Sequence, residues 1–169
     1  MTTFLIGLFV FLIVQRLAEL VIAQSNRKWM LERGAIEKGE DHYFLFIALH
    51  ALFFVSILIE ASIRPYEANW IFYIAFPLFL ILQGLRIWCI TSLGRRWNTR
   101  VLVLPDEQPI QKGLYRYIRH PNYVIVFYEL LIIPILFQAY LTAFIFPILH
   151  LLVLKVRIPV EEKALEERI

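Results

Sequence analysis

The chain has 169 residues, 60% of them hydrophobic, with a mean hydropathy of +0.66 and a formal net charge of +3. A water-soluble domain is nearer half apolar, and the excess here gathers in long apolar runs separated by short charged ones, the pattern of a polytopic membrane protein. That leaves no room for a separate soluble catalytic domain, and the one cysteine, Cys89, excludes an internal disulfide or a cysteine-built metal cluster.

The first apolar run lacks a basic lead-in and a small-residue cleavage pattern, so it reads as a retained span over 4–23. Gln15, Arg16 and Glu19 fall in its last two turns, and Arg16 and Glu19 are placed to pair. A polar loop, 24–41, leads to span two, 42–63. A short link containing Pro65 precedes span three, 70–90, which carries Gln83 and Arg86 near its end. The long loop 91–121 follows. Two shorter apolar stretches, 122–137 and 141–156, read as a tight helical hairpin. The charged tail, 157–169, reads as a short amphipathic helix beginning after Pro159. About 20 apolar residues at ~1.5 Å each cross a hydrocarbon core ~30 Å thick. The runs are continuous rather than alternating, which favours helices over a barrel. The expected fold is all-α and polytopic, with five transmembrane helices, one domain over 1–169 and no Rossmann domain.

With five spans, every lysine and arginine except Arg64 falls on one side of the membrane. The positive-inside rule then puts the N-terminus outside and the C-terminus in the cytoplasm. The charged loop and tail share that cytoplasmic side, and the hairpin between them brings them together.

No glycine-rich nucleotide loop, metal-ligand spacing or nucleophile motif is present, and no metal or nucleic-acid partner is expected. What remains is G-x-Y-x-x-x-R-H-P-x-Y, from Gly113 to Tyr123, then two apolar stretches, then R-x-x-x-E-E-x-x-L, from Arg157 to Leu165. This combination resembles the isoprenylcysteine carboxyl methyltransferase family of integral membrane methyltransferases. The resemblance implies S-adenosylmethionine as cofactor, wrapped by the loop and tail through Gly113, Tyr115, His120, Pro121, Asn122, Tyr123, Glu161 and Glu162. It also implies a lipophilic acceptor entering from the bilayer. The form H-P-N-Y with Glu129 inside the following span is similar to a bacterial branch found with type III polyketide synthases. That likeness implies a bacterial cell membrane and an alkylpyrone or alkylresorcinol as the oxygen acceptor. A prenylated cysteine carboxylate and a phospholipid amine are the alternative acceptors, and a structural or lipid-binding membrane protein is the non-enzyme alternative. Sterol reductases share an R-H-P-N-Y element but are longer and bind a nicotinamide.

The chemistry of such a cofactor agrees with these residue types. Glu161 and Glu162 are acceptors for ribose hydroxyls or an ammonium. His120 and Arg119 suit a carboxylate, and Tyr115, Tyr117 and Tyr123 offer ring faces to adenine or a sulfonium. Pro121 starts a helix and sets His120 at its mouth, where free backbone amides favour anions. Arg157, Arg119 and Glu129 are the catalytic candidates. An arginine would hold an anionic acceptor in line with the methyl, with Arg157 preferred as the nearer to the bilayer. Glu129 is costly within a span unless paired or facing a cavity. Gln83 and Arg86 line the pocket or snorkel. His50 and His150 read as interhelical hydrogen-bonding residues.

Overall fold

The computed structural model describes residues 2–63, 65–67, 69–105 and 107–167; Arg64, the lone basic residue of the opposite side, lies outside them. Five helices follow in order: α1 (Thr3–Leu31), α2 (Glu40–Ile63), α3 (Trp70–Leu93), α4 (Pro121–Leu136) and α5 (Tyr140–Glu166). All but α4 are long and apolar enough to cross a membrane. Their outer faces carry exposed apolar side chains such as Val21, Ile63 and Phe144, a surface that only lipid covers favourably.

Each helix start has a local cause. Thr2 Oγ1 accepts from the Leu5 amide at 3.4 Å and Asn69 Oδ1 from the Phe72 amide at 3.3 Å, capping α1 and α3. Pro121 opens α4, where a missing N–H costs nothing. Helix α5 begins after Ala139, which has no capping group, and Glu60 of α2 supplies one instead. Its carboxylate accepts from the Leu141 amide, the Thr142 amide and the Thr142 hydroxyl, each at 2.9 Å. This negative group sits on the positive end of the α5 dipole.

The two apolar stretches expected to form a matched short hairpin are unequal. Helix α4 has 16 residues, about 24 Å, whereas α5 has 27, about 40 Å. No separate tail helix begins at Pro159: α5 runs unbroken through Pro147 and Pro159. Each proline removes one backbone donor, a loss that packing can outweigh. Beyond Pro159, Ala164 and Leu165 are held against Val101 and Val103. Those valines belong to a small antiparallel sheet that the hydropathy pattern did not announce: β1 (Ile36–Lys38) pairs with β2 (Val101–Val103), Ile36 opposite Val103. Helix α1 likewise continues past residue 23 to Leu31. Asn26 ties its end to the loop by donating to the Trp97 carbonyl at 2.7 Å.

Glu37 of β1 fastens the sheet. Its carboxylate accepts from Arg27 at 2.7 Å and from Arg100 at 2.6 Å. Burial opposes its ionisation, but the two guanidiniums outweigh burial and hold the carboxyl below the usual carboxylate range.

The main core lies in the half of the bundle away from the sheet. Phe53 meets Phe146 edge-on, and Phe9 does the same with both Phe54 and Phe137. Toward the sheet the helices spread, and the space between them is the cavity described below.

The cap from α2 makes a testable claim. Replacing Glu60 by alanine strips two α5 amides of their acceptor and should lower stability by about 1–2 kcal/mol. The thermal midpoint of the detergent-purified variant should fall accordingly, and Glu60→Gln, which keeps an acceptor oxygen, should fall less.

Candidate active site

Helices α4 and α5 bring the two charged motifs together. Pro121 fixes the start of α4, so His120 stands at its mouth and Tyr123 one turn in. On α5, Arg157 and Glu161 are one turn apart and share a face. Tyr123 joins them: its hydroxyl donates to Glu161 Oε2 and accepts from Arg157 Nε at 3.2 Å. Arg157 Nη2 also donates to the Thr99 carbonyl at 3.0 Å, and its guanidinium lies over the Phe46 ring of α2. The His120 ring stacks on Tyr123 with centroids 5.5 Å apart. Its nitrogens lie 3.6 Å from Glu161 and 3.4 Å from Glu162. The Glu161 carboxylate raises the His120 imidazole above its ordinary value, against the opposing effect of burial.

These groups open on one cavity of about 830 Å³, which runs from the loop and tail into the bundle. That volume suits a drug-sized ligand with room beyond it. Several buried polar atoms on its wall have no hydrogen-bond partner among the described residues: Trp97 Nε1, Asn122 Oδ1, His150 Nδ1 and Arg157 Nη1. Such atoms are costly unless a ligand or water meets them. Two are donors, one accepts, and His150 Nδ1 also accepts, because Nε2 donates to the Tyr123 carbonyl at 3.2 Å.

At the far end of the cavity lies an ionic cluster inside the helical bundle. Arg86 of α3 donates to both oxygens of Glu19, at 2.5 and 2.7 Å, and to Glu129 Oε2 at 2.6 Å. Arg16 reaches Glu19 at 2.9 Å and Glu129 Oε2 at 2.7 Å. Gln83 donates to Glu129 Oε1 at 3.2 Å and accepts from Gln15 at 2.6 Å. Two arginines and two glutamates from α1, α3 and α4 thus neutralise one another where an isolated charge would be expelled. Arg16, Glu19 and Arg86 line the cavity, while Glu129 backs them from behind.

The expected site residues divide by position. Tyr115, Arg119, His120, Asn122, Tyr123, Arg157, Glu161 and Glu162 line the cavity. Arg119 stands exposed at its mouth, 3.7 Å from Glu162. Tyr117, expected to offer a ring face, points outward and is 76% exposed. Gly113 and Pro121 are not on the cavity wall. Gly113 has φ +59°, and a Cβ there would lie 2.0 Å from Ser92 Oγ, so it lets the 3-10 turn Gly113–Arg116 press against α3. Glu129, a catalytic candidate from the sequence, has both oxygens engaged by Arg16, Arg86 and Gln83 and acts as a holder of those cations. Sequence reasoning missed Trp97, whose segment forms one wall, and the joining of Arg16 and Glu19 to Arg86 and Glu129. The one available signal was that each of these charges lies in an apolar run and needs a partner.

Two outcomes follow. Glu129→Ala would leave two buried guanidiniums short of a counter-charge and should cost about 3–5 kcal/mol, read as a lower thermal or denaturant midpoint in detergent. His120, its folded value raised, contributes its ion pairs fully below pH ~6.5 and loses them as pH rises through that raised value. The stability advantage of the wild type over His120→Ala should therefore shrink on going from mildly acidic to alkaline pH.

Residues 73–167 match the model of the isoprenylcysteine carboxyl methyltransferase (ICMT) family. The chain is 43% identical over 157 residues to the uncharacterized protein YpbQ of Bacillus subtilis, covering 92% of this chain and 93% of that one. It is 29% identical over 151 residues to an uncharacterized protein of Haemophilus influenzae, covering 89% and 88% respectively. The family match spans more than half the chain and takes in both motifs around the cavity: the protein belongs to the isoprenylcysteine carboxyl methyltransferase family and is an integral membrane methyltransferase.

Proposed function

We propose that the protein is an S-adenosylmethionine-dependent O-methyltransferase acting on a hydrophobic acceptor held in the bilayer, an alkylpyrone or alkylresorcinol in preference to a prenylated cysteine carboxylate or a phospholipid amine. The observation that carries this reading is the cavity itself, which joins a charged mouth built from the loop and the end of α5 to a chamber among membrane-spanning helices. A polar donor and an apolar acceptor can share one chamber only with such a shape.

The mouth fits the proposed cofactor. Glu161 and Glu162 are placed to accept from its ammonium or ribose hydroxyls, with His120 holding both carboxylates in position. The unpaired donor Trp97 Nε1 suits its carboxylate or ring nitrogens, and Asn122 Oδ1 suits an N–H. Tyr115 and Tyr123 line the same wall and supply aromatic faces. When bound, the cofactor would supply an electrophilic methyl for the acceptor oxygen. The chain's own work is positioning and exclusion of water, which supply much of the rate in an in-line displacement. Arg157 sits at the boundary between mouth and chamber, tied to Tyr123 and Thr99 with one nitrogen unused, and is the arginine best placed to orient the reacting oxygen. Arg119, exposed opposite Glu162, acts at the entrance. Glu129 serves by fixing Arg16 and Arg86.

The concentration of basic side chains around the sheet, the long loop and the end of α5 supports a cytoplasmic position for that end under the positive-inside rule. The N-terminus of α1 is then outside.

The test is calorimetric titration of the detergent-purified protein with S-adenosylhomocysteine and, separately, with a nicotinamide dinucleotide. Saturable binding of the first alone is expected, weakened about tenfold or more, roughly 1.4 kcal/mol, by Glu161→Gln or His120→Ala. Methyl transfer from the donor should then appear with an alkylpyrone or alkylresorcinol and be absent with phosphatidylethanolamine. A folded protein that binds no S-adenosylhomocysteine would overturn the reading.

A further inference from the structure

His50 lies on α2 one turn past Phe46, about 6 Å further along the helix than the ring stacked on Tyr123. It lines the chamber rather than the mouth. Its Nδ1 is 2.8 Å from the Phe46 carbonyl oxygen. A carbonyl only accepts, so Nδ1 carries the hydrogen and Nε2 of the neutral ring carries the lone pair. Among the described residues nothing hydrogen-bonds Nε2. The tautomer is therefore set by the backbone, and the basic nitrogen is left for whatever fills the chamber.

Arg16 faces the same space from α1. Each of its terminal nitrogens donates one N–H to Glu19 or Glu129 and keeps a second, and its side chain is 19% exposed where that of Arg86 is 4%. A shallow groove of about 460 Å³ adjoins the chamber between α1 and α2 and shares Leu17, Leu20 and Tyr43 with it, together with Asn98, Thr99 and Arg100 on its loop side. Leu17 and Val21 of this groove are 57% and 70% exposed, on the face that lipid covers. Helices α1 and α2 meet through Phe9 and Phe54 near the other end of the bundle, so the gap lies where the groove opens. The groove gives an alkyl chain a path from the bilayer to His50 and Arg16.

We propose that the inner chamber is the acceptor site, that it takes a planar, weakly acidic ring hydroxyl carried on an alkyl chain, and that His50 Nε2 is the base that receives the hydroxyl proton while Arg16 stabilises the resulting oxyanion, which Arg157 orients toward the donor. The proposal rests on the O-methyltransferase reading and narrows its acceptor. In the step, the O–H bond breaks, its electron pair stays on oxygen, and the proton forms an N–H bond at Nε2. Imidazolium and oxyanion form as a pair, so the net charge of the chamber is unchanged. The imidazolium later returns its proton to water through the mouth. The other acceptor classes fit this pair badly: a carboxylate is already ionised and gives the base nothing to do, and an ammonium is repelled by Arg16. The charged and titratable groups facing His50 are Arg16 and Glu19 on α1, Arg86 on α3, Tyr123 and Glu129 on α4 and His150 on α5. The two arginines and two glutamates are locked in the ionic cluster, and His150 is fully buried and tied to the Tyr123 carbonyl, which leaves the part-exposed His50 as the base that the chamber can reach.

The test uses the full-length protein in detergent and a long-chain 4-alkyl-2-nitrophenol, whose neutral and ionised forms differ in colour. Bound to the wild type, the probe should ionise about one pH unit or more below its value in empty micelles. His50→Ala and His50→Gln should both abolish that shift and slow methylation of a ring-hydroxyl acceptor by about a hundredfold or more. Both variants should bind S-adenosylhomocysteine as the wild type does, which also shows that they fold. A shift retained in both variants, or absent from the wild type, would overturn the assignment of His50 and leave the methyltransferase reading standing. Loss of S-adenosylhomocysteine binding in the wild type would instead sink the donor reading, and the probe's ionisation would still decide whether His50 is the base.

Discussion

The arrangement depends on four charges that cannot leave the bilayer. Arg16, Glu19, Arg86 and Glu129 sit on three different helices, and each is tolerable in an apolar bundle only beside the others. Lipid gives helices little reason to choose one register over another, since a leucine is as content against an acyl chain as against a second leucine. An ionic cluster supplies that choice. Sliding α1 by one turn along α3 would move Arg16 and Glu19 away from Glu129 and Arg86. Helix α1 is otherwise held by aromatic contacts at its start and by Asn26 and Asn98 against the loop near its end. The cluster pins its middle, and in doing so keeps α1 and α2 apart over the stretch where the chamber lies.

A second constraint is length. Helix α4, about 24 Å long, is shorter than a hydrocarbon core ~30 Å thick, and its turn through Gln138, with φ +58°, sends the chain straight back as α5. Glu60 closes the start of α5, and the α2–α3 connection folds over the hairpin, Gln138 bonding the backbone of Glu67. Because α5 is much longer than α4, its last turns emerge beyond the bundle. The sheet made by β1 and β2 receives them through Val101 and Val103, which turns Glu161 and Glu162 back over His120. A short helix, a long helix and a docking surface together convert two distant sequence motifs into one wall.

How much of this was legible in the sequence follows from the range of the forces involved. The spans were legible because hydrophobicity acts on whole segments, and all the long helices fall where the apolar runs lie. The R-H-P-N-Y and R-x-x-x-E-E elements could be brought together on paper because a hairpin joins them. The end of α5 could not be read correctly, because Pro159 is a strong local stop signal and the packing of Ala164 on Val101 is not local. The sheet was hidden for a similar reason: strands of three residues are too short to show alternation, and Ile36 and Val103 are far apart in the chain. Arg16 with Glu19 was found, being one turn apart, whereas their partners Arg86 and Glu129 lie 67 and 113 residues away. The cost of a charge in a span shows that a partner exists without saying which one. His50 was assigned to interhelical bonding, and its bond is in fact to its own helix, which is what frees the other nitrogen.

With no nucleotide-binding domain among the described residues, the polar site is built from what emerges at the membrane surface, a loop and the end of one helix. The cost of such economy is that the site is only as rigid as the membrane bundle beneath it. Tyr123 shows the coupling: its hydroxyl joins Arg157 to Glu161 at the mouth, its ring faces Phe46, and its carbonyl receives His150 from the heart of the bundle. His50 follows Phe46 by one turn on the same helix. A shift of α2 relative to α4 therefore moves the chamber and the mouth together, so the two halves of the cavity cannot be tuned independently. For the proposed reaction between a water-borne donor and a bilayer-borne acceptor this is an advantage, because the distance between the two reacting groups is fixed by helix packing and not by a flexible loop.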